Sequence, residues 1–197
     1  MEKDFEALIS SFINDQIGIA DHFLNDELAL ELRDDLLDLK ENALLTAAGI
    51  GNDNKYVQNE KVRGDQILWL DRSNNNEIQD RFLNQMDDFI RYLNLSCYTG
   101  ITSYEFHYAF YETGRFYKKH LDRFQNNSDR QFSMISYLNE NWKEEDGGQL
   151  SVIKDGIETK ISPVLGKTVF FKSDQLEHEV LITNKDRLSV TGWLKRS

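Results

Sequence analysis

The chain has 197 residues, 40% hydrophobic, with 23 basic and 34 acidic side chains and a net charge of −11; this is enough for one domain with a buried core and argues against a nucleic-acid scaffold. One cysteine, Cys97, excludes an internal disulfide, and neither a signal-peptide pattern nor an apolar run of membrane-spanning length is present. The expectation is a single cytoplasmic, monomeric domain over 1–197, with no nucleic-acid or membrane partner and, from its charge, a partner of basic character.

Residues 5–12 place Phe5, Leu8, Ile9 and Phe12 at helical spacing. Asn25, followed by Glu27, is suited to cap a second helix with the stripe Leu28, Leu32, Leu36 and Leu39. Residues 46–63 are polar and glycine-containing without periodicity, a long loop read as a flap over a site. The second half of 62–70 reads as a strand. Ile78, Phe82, Met86, Phe89, Ile90 and Leu93 predict a third helix over 74–93. Strand-like segments follow at 101–111, 131–138, 148–153, 157–161, 169–172, 179–183 and 188–194. Asp155-Gly156 between two of them is the strongest hairpin signal in the chain. Helices followed by about eight strands predict an α+β fold. Its core is a double-stranded β-helix, or jelly roll, over about 100–195, with helical support over 1–95.

The chemistry concentrates at 111–122. His120 and Asp122 are two residues apart, so on extended chain both side chains face the same side. Alone the pair is a weak signal. His178 can complete a two-His-one-carboxylate set of the kind that holds non-haem Fe(II) with open positions for cosubstrate and O2. Nine residues further on, Arg187 shares a strand face with Ser189, Thr191 and Trp193. An arginine inside a barrel mouth is costly unless it meets an anion, and its planar fork suits a carboxylate such as the distal one of 2-oxoglutarate.

At this point the chain resembles the Fe(II)- and 2-oxoglutarate-dependent prolyl 4-hydroxylases, in particular the hypoxia-sensing type and its bacterial relatives. The resemblance spans 62–193. It rests on Arg63-Gly-Asp-X-Ile-X-Trp69, Tyr111-X-X-Gly-X-X-Tyr-X-X-His-X-Asp122, Tyr137-Leu-Asn139 with Trp142, Gly147-Gly-X-Leu150, Phe170-Phe171 before Ser173-Asp174, and His178-Glu-Val180 with Arg187, Thr191 and Trp193. It implies iron on His120, Asp122 and His178. It implies Arg187 on the C5 carboxylate of 2-oxoglutarate, assisted by Tyr137 and Thr191, with Tyr111 near the metal and the cosubstrate's other end. Ile135, Leu150, Phe171 and Val180 would form an apolar wall. Trp193 would lie close to the prolyl substrate, with the loop ending at Arg63 over it, and Asp65 with Arg130 would form an ion pair at the entrance.

The implied reaction hydroxylates C4 of a prolyl residue in a protein, releasing succinate and CO2, with Fe(II), 2-oxoglutarate and O2 and with ascorbate in support. For a bacterial chain the relatives imply a translation factor or ribosomal protein as target. Two alternatives stand beside it: a hydroxylase of a free amino acid or other small molecule, and a non-catalytic 2-oxoglutarate-binding sensor. Three departures from the animal enzymes are visible. His107 replaces an apolar residue and is expected as a satisfied buried histidine; the 111–120 spacing is one residue shorter; and the loop after Asp122 differs.

Overall fold

The computed structural model describes residues 2–49, 61–122 and 129–196. Three helices form where the apolar stripes lie: α1 (Glu2–Asp15), α2 (Asp26–Glu41) and α3 (Glu77–Cys97). Asn25 caps α2 by accepting the Leu28 amide at 2.8 Å, and Asn76 caps α3 by accepting from Ile78 and Gln79. The first helix runs past the predicted 5–12 at both ends.

The strands are β1 (Ile17–Ala20), β2 (Thr46–Ala47), β3 (Asp65–Trp69), β4 (Ser103–Tyr111), β5 (Tyr117–His120), β6 (Arg130–Tyr137), β7 (Leu150–Lys154), β8 (Ile157–Ile161), β9 (Thr168–Lys172), β10 (Glu177–Val180) and β11 (Arg187–Lys195). They form a seven-stranded sheet in the order β1-β9-β6-β11-β4-β3-β2 and a four-stranded sheet in the order β5-β10-β7-β8. The antiparallel pairings and two facing sheets make the expected jelly roll, built from β4 to β11. β1, β2 and β3 add to one sheet from within the 1–95 segment.

Several predicted boundaries shift. The strand expected at 179–183 lies at Glu177–Val180, because the chain leaves the small sheet after Val180 and bonds instead to Gln149 and Arg115. β1 was not anticipated: four residues containing a glycine carry little strand signal, and pairing with β9 supplies the hydrogen bonds. The flap expected over 46–63 begins with β2; its residues 50–60 lie outside those described.

The helices cover the outer face of the large sheet. Edge-on ring contacts join Phe12 to Phe132 and Phe170, Phe89 to Phe170, and Phe82 to Phe106. A polar pin crosses this layer. Asp35 of α2 accepts from Tyr108 of β4 at 2.7 Å, from Gln79 at 3.0 Å and from Asn76 at 2.8 Å. Inside the roll, a second apolar cluster brings Ile135, Leu150, Val169, Phe171 and Val180 together between the two sheets. That interior is where the site forms.

At the hairpin between β7 and β8, Asp155 and Gly156 both adopt positive φ, +51° and +79°, the backbone its sequence signals. Gly192 has a different reason. A Cβ there would stand 2.3 Å from the Glu105 carbonyl oxygen and 2.2 Å from the Phe106 ring. The neighbouring backbone of β4 cannot yield, so Gly192→Ala is expected to destabilise the fold by about 2 to 4 kcal/mol, overpacking at a backbone contact. Chemical denaturation checks this, and a midpoint equal to wild type sinks it.

Candidate active site

β5 ends at His120 and is the edge strand of the small sheet; β10 beside it carries His178 directly opposite in register. Asp122 follows β5. The three side chains converge, with ligand atoms all within 4.8 Å of one another. Nε2 of His120 lies 3.4 Å from one Asp122 oxygen, and Nε2 of His178 lies 3.5 Å from the other. Each imidazole is aimed from behind: Nδ1 of His120 bonds the Lys118 carbonyl at 2.8 Å and Nδ1 of His178 bonds the Leu176 carbonyl at 3.0 Å. With the Nδ1 protons so placed, both Nε2 lone pairs point to the common centre. Tyr117 stacks on His120 at 3.7 Å and Phe171 meets His178 edge-on at 4.8 Å, fixing both ring planes.

Burial alone would raise the Asp122 carboxyl, but His178, His120 and the Ser133 hydroxyl outweigh it and hold it below the usual range. Ser133 donates to Asp122 at 2.6 Å and pairs with Ser173 at 2.9 Å. Burial pushes His178 the other way, toward the neutral form a metal requires, offset in part by Asp122. Two neutral imidazole nitrogens and one ionised carboxylate oxygen on one side fit Fe(II).

Deeper along β11, Arg187 is 1% exposed. Its Nε donates to the Gly148 carbonyl at 2.8 Å, while Nη2 has no partner among the described residues. Tyr111 and Tyr137 flank the guanidinium, their ring centroids 5.2 and 5.1 Å from its carbon. The Tyr137 hydroxyl is also unpartnered, and burial pushes it up to about 12, so it stays a donor. A buried guanidinium edge beside a phenol, both short of partners among the described residues, is the complement of a carboxylate.

Between this clamp and the triad the cavity wall carries Ile135, Leu150, Val180, Thr191 and Tyr111, and it is also lined by buried Trp193 and the half-buried Tyr117 and Arg63. Tyr137 and Phe171 are not on that wall; Phe171 stands behind His178. Thr191 shares a hydroxyl contact with Ser189 at 3.3 Å. Trp193 is 6% exposed, and the Arg130 guanidinium lies 3.5 Å from its ring centroid.

The expected Asp65–Arg130 ion pair does not form. Asp65 takes both oxygens to Arg63, at 2.6 and 2.8 Å, and Arg130 pairs with Glu105 at 2.7 Å. The register explains it: Asp65 sits opposite Tyr111 and Arg130 opposite Lys195, at opposite ends of β4. His107 is a second correction. It is buried as expected, yet neither ring nitrogen has a partner among the described residues.

Sequence reasoning gave no role to Ser133 or the Gly148 carbonyl, and Tyr117 entered it only as a motif position. Ser133 was within reach, two alternations before Tyr137 on the same strand face; Tyr117 stacks on His120 within β5 itself, whereas the Gly148 contact reaches Arg187 on the other sheet.

The 2OG-Fe(II) oxygenase superfamily model matches residues 106–195, which contain His120, Asp122, His178 and Arg187. A prolyl-4-hydroxylase structure from Pseudomonas putida is 34% identical, covering 98% of this chain and 99% of its own, with a TM-score of 0.88. The chain belongs to the prolyl 4-hydroxylase family. A prolyl hydroxylase from Trichoplax adhaerens, in complex with a hypoxia inducible factor peptide fragment, shares the fold with TM-score 0.88 at 24% identity over 98% of this chain and 90% of its own. The mouse prolyl hydroxylase EGLN3 is 27% identical over 184 residues, 88% of this chain and 75% of that protein. The hydroxylase is thus a 2-oxoglutarate-dependent dioxygenase using Fe(II), 2-oxoglutarate and O2.

Proposed function

We propose that the enzyme hydroxylates C4 of a prolyl residue in a protein substrate, with His120, Asp122 and His178 holding Fe(II) and Arg187 with Tyr137 holding the C5 carboxylate of 2-oxoglutarate. The observation that carries this reading is the pairing of a three-ligand cluster with a buried, half-unpartnered Arg187 in one cavity. Packing has no use for both together.

Bound Fe(II), with 2-oxoglutarate and O2, supplies the oxidising chemistry, in which the cosubstrate becomes succinate and CO2 and one oxygen atom passes to the substrate. The chain's own contribution is placement. Lys118 and Leu176 carbonyls orient the two imidazoles, and Ser133 fixes the Asp122 carboxylate. Ile135, Leu150 and Val180 exclude water from the cavity, strengthening the Arg187 clamp.

A peptide substrate is supported by the mouth. Trp69 is 47% exposed beside buried Trp193, 6.4 Å between ring centroids, and Arg63 and Arg130 each lie over an aromatic ring there. Such a surface suits a proline ring and its flanking backbone. The net charge of −11 suits a basic partner, as a translation factor or ribosomal protein would be. The reading includes one domain over 1–197 acting as a monomer. A cytoplasmic location is supported by the free Cys97, and no helix among the described residues is long and apolar enough to cross a membrane.

The test is succinate production from 2-oxoglutarate with Fe(II) and ascorbate, using cell lysate as substrate and mass spectrometry of its proteins. Lysate-stimulated turnover with one added oxygen on a single proline is expected, absent in His120→Ala. Turnover with no modified protein would point to a small-molecule substrate. Binding without any turnover would point to a sensor.

A further inference from the structure

Four buried side chains of the site region carry polar atoms without partners among the described residues: Arg187, Tyr137, His107 and Trp193. The first two form the carboxylate clamp. His107 has no role yet.

Its place follows from strand register. His107 of β4 sits opposite Thr191 of β11 and Trp69 of β3, and Thr191 sits opposite Ile135 of β6. These side chains therefore form one row on the cavity face. Arg187 and Tyr111 form a row four residues away on one side. Trp193 and Ser133 form the next row on the other side, and Ser133 holds the metal-binding carboxylate of Asp122. His107 thus stands between the clamp and the metal cluster. It is 1% exposed, lines the cavity, stacks on Trp193 at 5.5 Å and tilts against Trp69 at 4.9 Å.

A dicarboxylate held at one end by Arg187 and reaching the metal at the other runs past this row. If only its methylenes passed His107, a buried imidazole would stay unpaired, which is costly. We propose that His107 binds the cosubstrate directly, its ring N–H donating to an oxygen of the 2-oxo-acid end of 2-oxoglutarate. This rests on reading the cavity as a 2-oxoglutarate site. Burial first, then the Arg63 and Arg130 charges, hold the imidazole down at about 3, against Asp65 and Asp122, so it is neutral and keeps one N–H to give.

The experiment is anaerobic titration of the Fe(II)-loaded protein with 2-oxoglutarate, read by the visible absorption of the iron–2-oxo-acid chelate and by isothermal calorimetry with Mn(II). His107→Leu keeps the apolar seat and removes the donor; His107→Gln keeps a donor. The Leu variant is expected to bind 2-oxoglutarate about tenfold or more weakly, the scale of one hydrogen bond to a charged group, with a shifted chelate band. Its Mn(II) affinity stays at the wild-type value, and without cosubstrate it melts no lower than wild type. The Gln variant recovers most of the lost affinity. Wild-type affinity and an unshifted band in His107→Leu overturn the proposal, as does equal weakening in both variants, which would mark a role in shape alone. Absence of any 2-oxoglutarate-dependent band in the wild type would instead overturn the reading of the cavity beneath it.

Discussion

Arg187→Ala is expected to abolish measurable 2-oxoglutarate binding while leaving the protein folded. The guanidinium is buried at 1% exposure, with Nε committed to the Gly148 carbonyl and Nη2 without a partner among the described residues. Bound cosubstrate adds charge-assisted hydrogen bonds worth about 1.5 to 3 kcal/mol each in a cavity shielded from water. Two of them amount to roughly 3 to 6 kcal/mol, between about two and four decades of affinity. Arg187→Lys is no conservative substitute, because one ammonium group cannot both serve Gly148 and present a planar fork. Without ligand, Arg187→Ala should lose only about 1 to 3 kcal/mol of stability, the cost of leaving the Gly148 carbonyl without its donor, since a buried cation short of partners is otherwise a poor contributor to folding. Calorimetric titration of the Mn(II)-loaded variant checks the first point and thermal melting the second. A dissociation constant within a factor of a few of wild type would show that the carboxylate is held elsewhere.

His178→Ala is expected to lose tight metal binding, by at least about a hundredfold, and with it detectable turnover. Outer-shell changes at metal sites already cost 10–100-fold, and this removes a ligand. His178 is buried, aimed by the Leu176 carbonyl and braced by Phe171. The loss also reaches Asp122, whose carboxyl is kept ionised against its burial by His178 and His120. In the metal-free wild type that depressed value stabilises the fold fully above the ordinary carboxylate range near 4, and the gain fades as pH falls through the lower folded value. Without His178 the folded value rises and the contribution shrinks. Mn(II) binding followed by electron paramagnetic resonance gives the direct reading. Retention of stoichiometric iron and near-normal turnover by the variant would remove His178 from the metal site.

What the chain determined by itself is whatever depends on neighbours in sequence. Period two set His120 and Asp122 on one side, and the same alternation put Arg187 and Thr191 on the cavity face with Leu188 and Val190 against the helices. Asp155-Gly156 named its hairpin because few residues tolerate positive φ, and Asn25 named its helix because its side chain can take an unpaired amide. What only the tertiary structure decided is partnership across strands. Asp65 chose Arg63, and Arg130 chose Glu105 and the face of Trp193, because register sets the acids at opposite ends of β4. β1 is a strand through its pairing with β9, a bond no local propensity reveals. His107 was legible as buried, but its two unpaired nitrogens were not: satisfaction of a polar atom is a property of the cavity around it, and that cavity exists only once both sheets have closed.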